Sequence, residues 1–238
     1  MKLEIGSGHS FEVRVEHCTV DGAEDFSVLY LSDFHFNKHS QAITTKIVDK
    51  IQELDPSIVL LGGDYVDSKS GFLYLTILMK ALSQRENVFA IAGNHDYFWG
   101  ISAIQTIITD HNALWIEKKS VTLDVQNTRI QIDGNQPTNQ PADAGFSILC
   151  LHRPINIAAY KNTYDLVLAG HLHGSQFVFW QSEQGLYPGR WFYKWNRLKM
   201  QYDGGQYLIS KGLGDTLPIR YNCKKDVILV NCKTRCCL

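Results

Sequence analysis

Seven residues carry the side chains from which a metal site could be built: Asp33, His35, Asp64, Asn94, His152, His171 and His173. They offer carboxylate oxygens, imidazole nitrogens and one amide carbonyl, with no thiolate among them. Such a set suits manganese, iron or zinc, with magnesium less well matched to so many imidazoles, and it argues against a structural zinc–cysteine site. Seven donors exceed what one tetrahedral ion takes, whereas two divalent ions about 3.5 to 4 Å apart that share one carboxylate use all of them. Two dications outweigh the charge of Asp33 and Asp64, which leaves room for a bridging hydroxide and an anionic phosphate. The chemistry this implies is attack of activated water on a phosphate ester or anhydride.

Something must hold these residues together, and the chain between them is regular. Five times a short apolar stretch stops on Asp, Asn or His: Ser27 to Leu31 before Asp33 and His35, Ile58 to Leu61 before Asp64, Val88 to Ile91 before Asn94 and His95, Ile148 to Leu151 before His152, and Leu166 to Leu168 before His171 and His173. Runs of this length bounded by Gly and polar residues read as buried strands. Helical patterns over Ser40 to Leu54, Gly71 to Leu82 and Gly100 to Asp110 lie among them. Strands alternating with helices imply an α/β sheet with crossover connections, and in such sheets sites form at the carboxyl ends of strands. Ser120 to Asp133 instead alternates apolar and polar residues around Asn127-Thr128, which predicts a hairpin and a second sheet. Gly134 to Gly145 reads as a surface loop, and Gln206 to Ser210 and Asp226 to Val230 as further strands.

The 238 residues, 45% of them hydrophobic, are enough for one large core, and we read residues 1–238 as a single domain. With 23 basic and 24 acidic residues, nothing global points to specific nucleic-acid binding. The six cysteines form no CxxC pair and read as reduced thiols, with a frayed C-terminus around Cys236 and Cys237. The N-terminus alternates polar and apolar residues like neither a signal peptide nor a spanning helix, so the expected location is the cytosol, with peripheral membrane contact left open. Oligomeric state is not legible.

The blocks Asp33-Phe34-His35, Gly62-Gly63-Asp64, Gly93-Asn94-His95-Asp96, His152 and Gly170-His171-Leu172-His173 resemble, in order, the signature of the calcineurin-like metallophosphoesterases. The flanking Gly63 to Asp67 and Gly212 to Arg220 resemble a bacterial branch that includes membrane-associated phosphohydrolases such as the UDP-2,3-diacylglucosamine pyrophosphohydrolases. The resemblance implies a four-layer αββα sandwich of two packed mixed sheets flanked by helices. It also implies that one ion is held by Asp33, His35, Asp64 and His173, the other by Asp64, Asn94, His152 and His171, with Asp64 bridging.

His95, next to Asn94, is placed to protonate the leaving oxygen, with Asp96 expected to orient its imidazole. The bland alternative is a histidine hydrogen-bonded at a strand-to-helix turn with Asp96 as an ordinary helix cap. Arg153 is a candidate ligand for the substrate phosphate, whereas Lys211 and Arg220 read as solvated loop charges. Residues 177–202 form an aromatic and basic insertion that either packs on the core or meets lipid. The functions weighed are hydrolysis of a phosphodiester, phosphomonoester or pyrophosphate, with a lipid-linked substrate suggested by the branch; a soluble nucleotide or protein phosphatase; and a binding scaffold of the same fold that has lost catalysis.

Overall fold

Buried strands need apolar residues on both faces, and the apolar runs do become strands in the computed structural model, which describes residues 3–5, 10–20, 24–138, 144–157, 164–202, 205–215 and 217–234. In chain order the first strands are β1 (Leu3–Ile5), β2 (Phe11–Val20), β3 (Phe26–Leu31), β4 (Ile58–Leu61), β5 (Val88–Ala90), β6 (Leu114–Trp115), β7 (Ser120–Val125) and β8 (Thr128–Gly134). They are followed by β9 (Phe146–Cys150), β10 (Leu166–Ala169), β11 (Val178–Ser182), β12 (Gly185–Pro188), β13 (Lys199–Tyr202), β14 (Gly205–Ile209), β15 (Ile219–Tyr221) and β16 (Lys225–Thr234). The helices are α1 (Gln41–Leu54), α2 (Gly71–Leu82), α3 (Asn94–Trp99), α4 (Ile101–Thr109) and α5 (Gly189–Phe192).

Two six-stranded sheets result, in the orders β2-β16-β3-β4-β5-β6 and β13-β14-β10-β9-β8-β7. Both are mixed: β3, β4, β5 and β6 run parallel in the first, and β8, β9, β10 and β14 in the second. The period-2 geometry of a strand divides its side chains between two cores. Val28, Tyr30, Ile58 and Leu60 meet Ile130, Ile132, Ile148 and Leu168 between the sheets, while Leu29, Leu31, Val59 and Leu61 meet Ile47, Ile51, Leu75 and Ile104 beneath the helices. On the outer face of the second sheet, Leu149, Val167 and Tyr207 are covered by Ile157, Tyr164 and Trp195.

Differences from the sequence reading are local. A short extra helix, α3, starts at Asn94 and is joined to α4 through Gly100, whose φ of +114° suits glycine. The hairpin turn is Gln126-Asn127, one residue earlier than expected, with both residues at positive φ (47° and 60°) as a type I′ turn requires. The supposed insertion contributes β13 to the second sheet, while its β11, β12 and α5 stand apart from the two sheets, as does the small β1-β15 pair. Cys18, Cys150, Cys223 and Cys232 are free thiols. The expected fraying at Cys236 and Cys237, and part of the loop from Gly134 to Gly145, lie outside the described residues.

Candidate metal centre

Because β3, β4 and β5 run parallel, their carboxyl ends lie side by side, and Asp33, His35, Asp64 and Asn94 follow within a few residues of them. β9 and β10 do the same in the second sheet for His152, His171 and His173. The two sets are tied across the sheets. The His152 Nδ1 lies 2.9 Å from the Gly62 carbonyl oxygen, and the His171 backbone N–H donates to both Asp33 carboxylate oxygens at 2.9 and 3.1 Å.

All seven predicted donors are brought together, in two groups. In one, His35 Nε2 is 3.2 Å from His173 Nε2, which is 3.9 Å from Asp33 Oδ1. In the other, His152 Nε2 is 2.9 Å from Asn94 Oδ1 and 3.2 Å from His171 Nδ1. Asp64 Oδ2 stands between them, 3.7 Å from His35 Nε2 and 3.4 Å from His152 Nε2. Ligand bonds of about 2.1 Å set at octahedral to tetrahedral angles separate donors by about 3.0 to 3.4 Å. The group around His152 has spacings close to this range, while the group around Asp33 is wider at two of its contacts, and Asp64 is placed to be shared between them. The tautomers agree: with Nδ1 of His152 donating to a carbonyl, its Nε2 carries the lone pair a metal needs.

Electrostatics keep His171, His173 and Asp33 in ligating form and act the other way on His35. Burial pushes the His173 pKa down to about 3, helped by His35 and Arg220, and burial together with His152 lowers that of His171. Burial also opposes charge on His35, but Asp67, Asp33 and Asp64 outweigh it and raise its pKa. Asp33 is fully buried, yet the facing His173, His152 and His35 hold its carboxyl below the usual range.

The backbone here is strained. Asp33, His35, Asp64, His171 and His173, five of the seven, sit at positive φ between 46° and 73°. Such residues cost roughly 1 to 3 kcal/mol each and persist only where neighbours over-determine them. Here the amides of Asp33 and His35 donate to the carbonyls of Gly63 and Asp64, both at 3.0 Å. Gly170 contributes by having no side chain, since a Cβ there would lie 2.4 Å from Asp33 Oδ2.

His95 is half-exposed beside this cluster, its backbone N–H donating to Asp64 Oδ1 at 2.8 Å. The residue that faces its imidazole is Asp67, with Oδ1 3.0 Å from His95 Nδ1 and 2.9 Å from His35 Nδ1. The expected contact from Asp96 is therefore corrected. As the third residue of α3, Asp96 turns back and accepts from the amides of Gly93 (2.7 Å), Asp64 (2.9 Å) and Tyr65 (2.8 Å). It caps the helix and fixes the strand end that carries Asp64, and burial raises its pKa to about 6. Asp67 had no strand-end signal in the sequence; a bridge between Phe36 and Val66 folds it back onto the site.

Arg153 is exposed and close enough to lower the His171 pKa. Lys211 and Arg220 are not the solvated charges the sequence suggested. Arg220 is 2% exposed, its Nε donating to Asp215 at 2.6 Å and its amino groups to the carbonyls of Lys211 and Gly214 at 3.0 and 2.7 Å. Lys211 pairs with Glu12 at 2.6 Å. Both brace the loop behind His173. An open cavity of about 520 Å³ lined by Asp67, Asn94, His95, Phe98 and Trp99 adjoins the centre, and its two aromatic residues were not singled out in the sequence.

The family model described as calcineurin-like phosphoesterase matches residues 26–175. The chain is 24% identical to the uncharacterized metallophosphoesterase YkoQ of Bacillus subtilis, over 91% of this chain and 89% of that protein. It is 25% identical to the phosphodiesterase YaeI of Escherichia coli, over 88% of this chain and 83% of the relative. Among solved structures, a putative 5′-nucleotidase from Staphylococcus aureus shares the fold with a TM-score of 0.52 at 12% identity, covering 80% of this chain and 49% of that one.

Proposed function

Because the chain belongs to the calcineurin-like phosphoesterases, which hydrolyse phosphate esters, we propose that it cleaves a phosphodiester or pyrophosphate bond at a centre of two divalent ions. The observation that carries this reading is the spacing of the seven donors, with Asp64 Oδ2 within 3.7 Å of one group and 3.4 Å of the other. Two ions bound there supply Lewis-acid neutralisation of the phosphate oxygens and a water whose pKa is lowered toward neutrality. The chain's own residues do the rest. Asp33, His35, Asp64 and His173 hold one ion, and Asp64, Asn94, His152 and His171 the other. His95 gives a proton from Nε2 to the leaving oxygen, since Asp67 occupies its Nδ1. Asp96 acts by fixing the backbone of Asp64, and Arg153 meets a non-bridging phosphate oxygen from the solvent side.

The name of the YaeI relative supports a diester. Of the Trp191 to Trp195 surface that separates a lipid-linked substrate, as the branch resemblance suggests, from a soluble nucleotide or phosphoprotein, Trp191 is 67% exposed and favours lipid, while Trp195 packs against Tyr207. The inactive-scaffold reading is disfavoured because every donor is present and in place. Manganese, iron and zinc fit the donors better than magnesium.

The test is hydrolysis of an aryl phosphodiester and an aryl phosphomonoester by purified protein, with added manganese and then with chelator, beside Asn94→Ala and His95→Ala. Metal-dependent turnover with the diester preferred is expected, lost in His95→Ala and regained in Asn94→Ala only with excess manganese. Turnover that survives chelation would contradict the proposal.

A further inference from the structure

Outside the metal centre, the segment formed by β11, β12 and α5 leaves large side chains uncovered. Phe179, Trp180, Trp191, Phe192 and Tyr193 are between 46% and 78% exposed. These are the only exposed large hydrophobics among the described residues from 178 to 193, and every one is aromatic. The face is built rather than loose. Val178 and Leu186 bury their inner sides with Cys223, and the Asn196 side chain donates to the Leu186 carbonyl at 2.9 Å. On the outside Trp180 stacks on Tyr187 with ring centres 5.0 Å apart, and Trp191 closes edge-on against both at 5.3 and 5.7 Å.

Charge is the second observation. Between residues 177 and 202 there are four basic residues, Arg190, Lys194, Arg197 and Lys199, against one acid, Glu183, in a chain whose net charge is −1. Lys199 is paired with Glu16, which leaves three cations beside the rings. Exposed Trp, Tyr and Phe with Lys and Arg among them match a membrane–water interface, where the rings sit at headgroup depth and the cations meet anionic lipids. A patch of this kind on a monomer marks an interaction surface.

We propose that this aromatic and basic face docks peripherally on an anionic lipid bilayer. No helix among the described residues is long and apolar enough to cross a membrane, so the contact would be made by this surface. β11 begins five residues after His173, and Cys223, which packs with Val178 and Leu186 beneath the face, lies against the His173 carbonyl. Docking does not depend on which phosphate bond is cleaved.

Phosphatidylcholine vesicles with and without phosphatidylglycerol test it by co-sedimentation, with tryptophan fluorescence and quenching by brominated acyl chains as the second readout. The full chain should bind the vesicles containing phosphatidylglycerol, shift its emission to the blue, be quenched, and come off in high salt. Each cation near the surface is worth about a fivefold change in partitioning, so Arg190→Gln with Lys194→Gln should weaken binding more than tenfold. Trp191→Ser with Phe192→Ser should abolish quenching, with an unchanged circular dichroism spectrum showing that both variants fold. Failure to bind phosphatidylglycerol, or binding that neither pair of substitutions weakens, would overturn the proposal. So would a dimer in solution that Trp191→Ser disperses, since the face would then belong to a second copy. Soluble ester hydrolysis reports separately on the metal centre.

Discussion

The two donor groups of the metal centre each combine two histidines with an oxygen donor, Asp33 in one and Asn94 in the other, and they differ in access. Asp33, His35 and His173 are 0%, 2% and 7% exposed, closed in by the loop that Arg220 braces. In the other group His152 is equally buried at 4%, but Asn94 is exposed and His171 half-buried, and the cavity with His95, Phe98 and Trp99 opens on that side. A closed position holds an ion against solvent, whereas an open one can also receive a phosphate oxygen. Substrate is therefore expected to enter from the Asn94 side.

Substitutions that strike both groups should have the largest effect. Asp64→Ala removes the shared carboxylate and is expected to lower diester turnover by more than about 10³-fold, since charge stabilisation by both ions is lost; elemental analysis should show reduced metal content. His95→Asn is expected to cost about 10² to 10⁴ in kcat with metal content unchanged, because it removes a proton donor and no ligand. Equal metal loss in the two variants would make His95 a ligand instead.

Smaller effects sharpen the contrast between open and closed. Asn94→Ala should weaken one ion in a way that excess manganese restores, while His173→Ala should not be rescued, because it leaves a buried, unfilled donor position next to Asp33. Identical manganese titrations for these two would erase the distinction. Asp67→Asn is expected to cost about 10- to 100-fold by freeing the imidazoles of His35 and His95, the range typical of groups that orient metal ligands, and should shift the pH profile of kcat more than KM. A variant with unaltered pH dependence would reduce Asp67 to a structural contact.

Much of this centre was legible because buried parallel strands cannot carry polar residues until they end. Asp33, Asp64, Asn94, His152 and His171 each follow an apolar run, so their types and their place at a strand end could be read together. Asp67 could not, as it reaches the site only through the bridge from Phe36 to Val66. Asp96 was assigned to the wrong neighbour because its geometry depends on α3 starting at Asn94, a boundary the strand pattern hides. The burial of Lys211 and Arg220 was invisible for a similar reason: Glu12, the partner of Lys211, comes from β2, Arg220 meets the nearby Asp215 only through the fold of their loop, and a charge looks solvated until its partner is known. The left-handed backbone at five ligands also left no trace beyond a preference of Asp and His for that region.

The most direct test of the two-ion centre is titration of metal-free protein with manganese while diester turnover and bound metal are measured together. Activity that rises until two ions are bound per chain is the expected result. Full activity at one ion per chain, or activity in the metal-free protein, would contradict it.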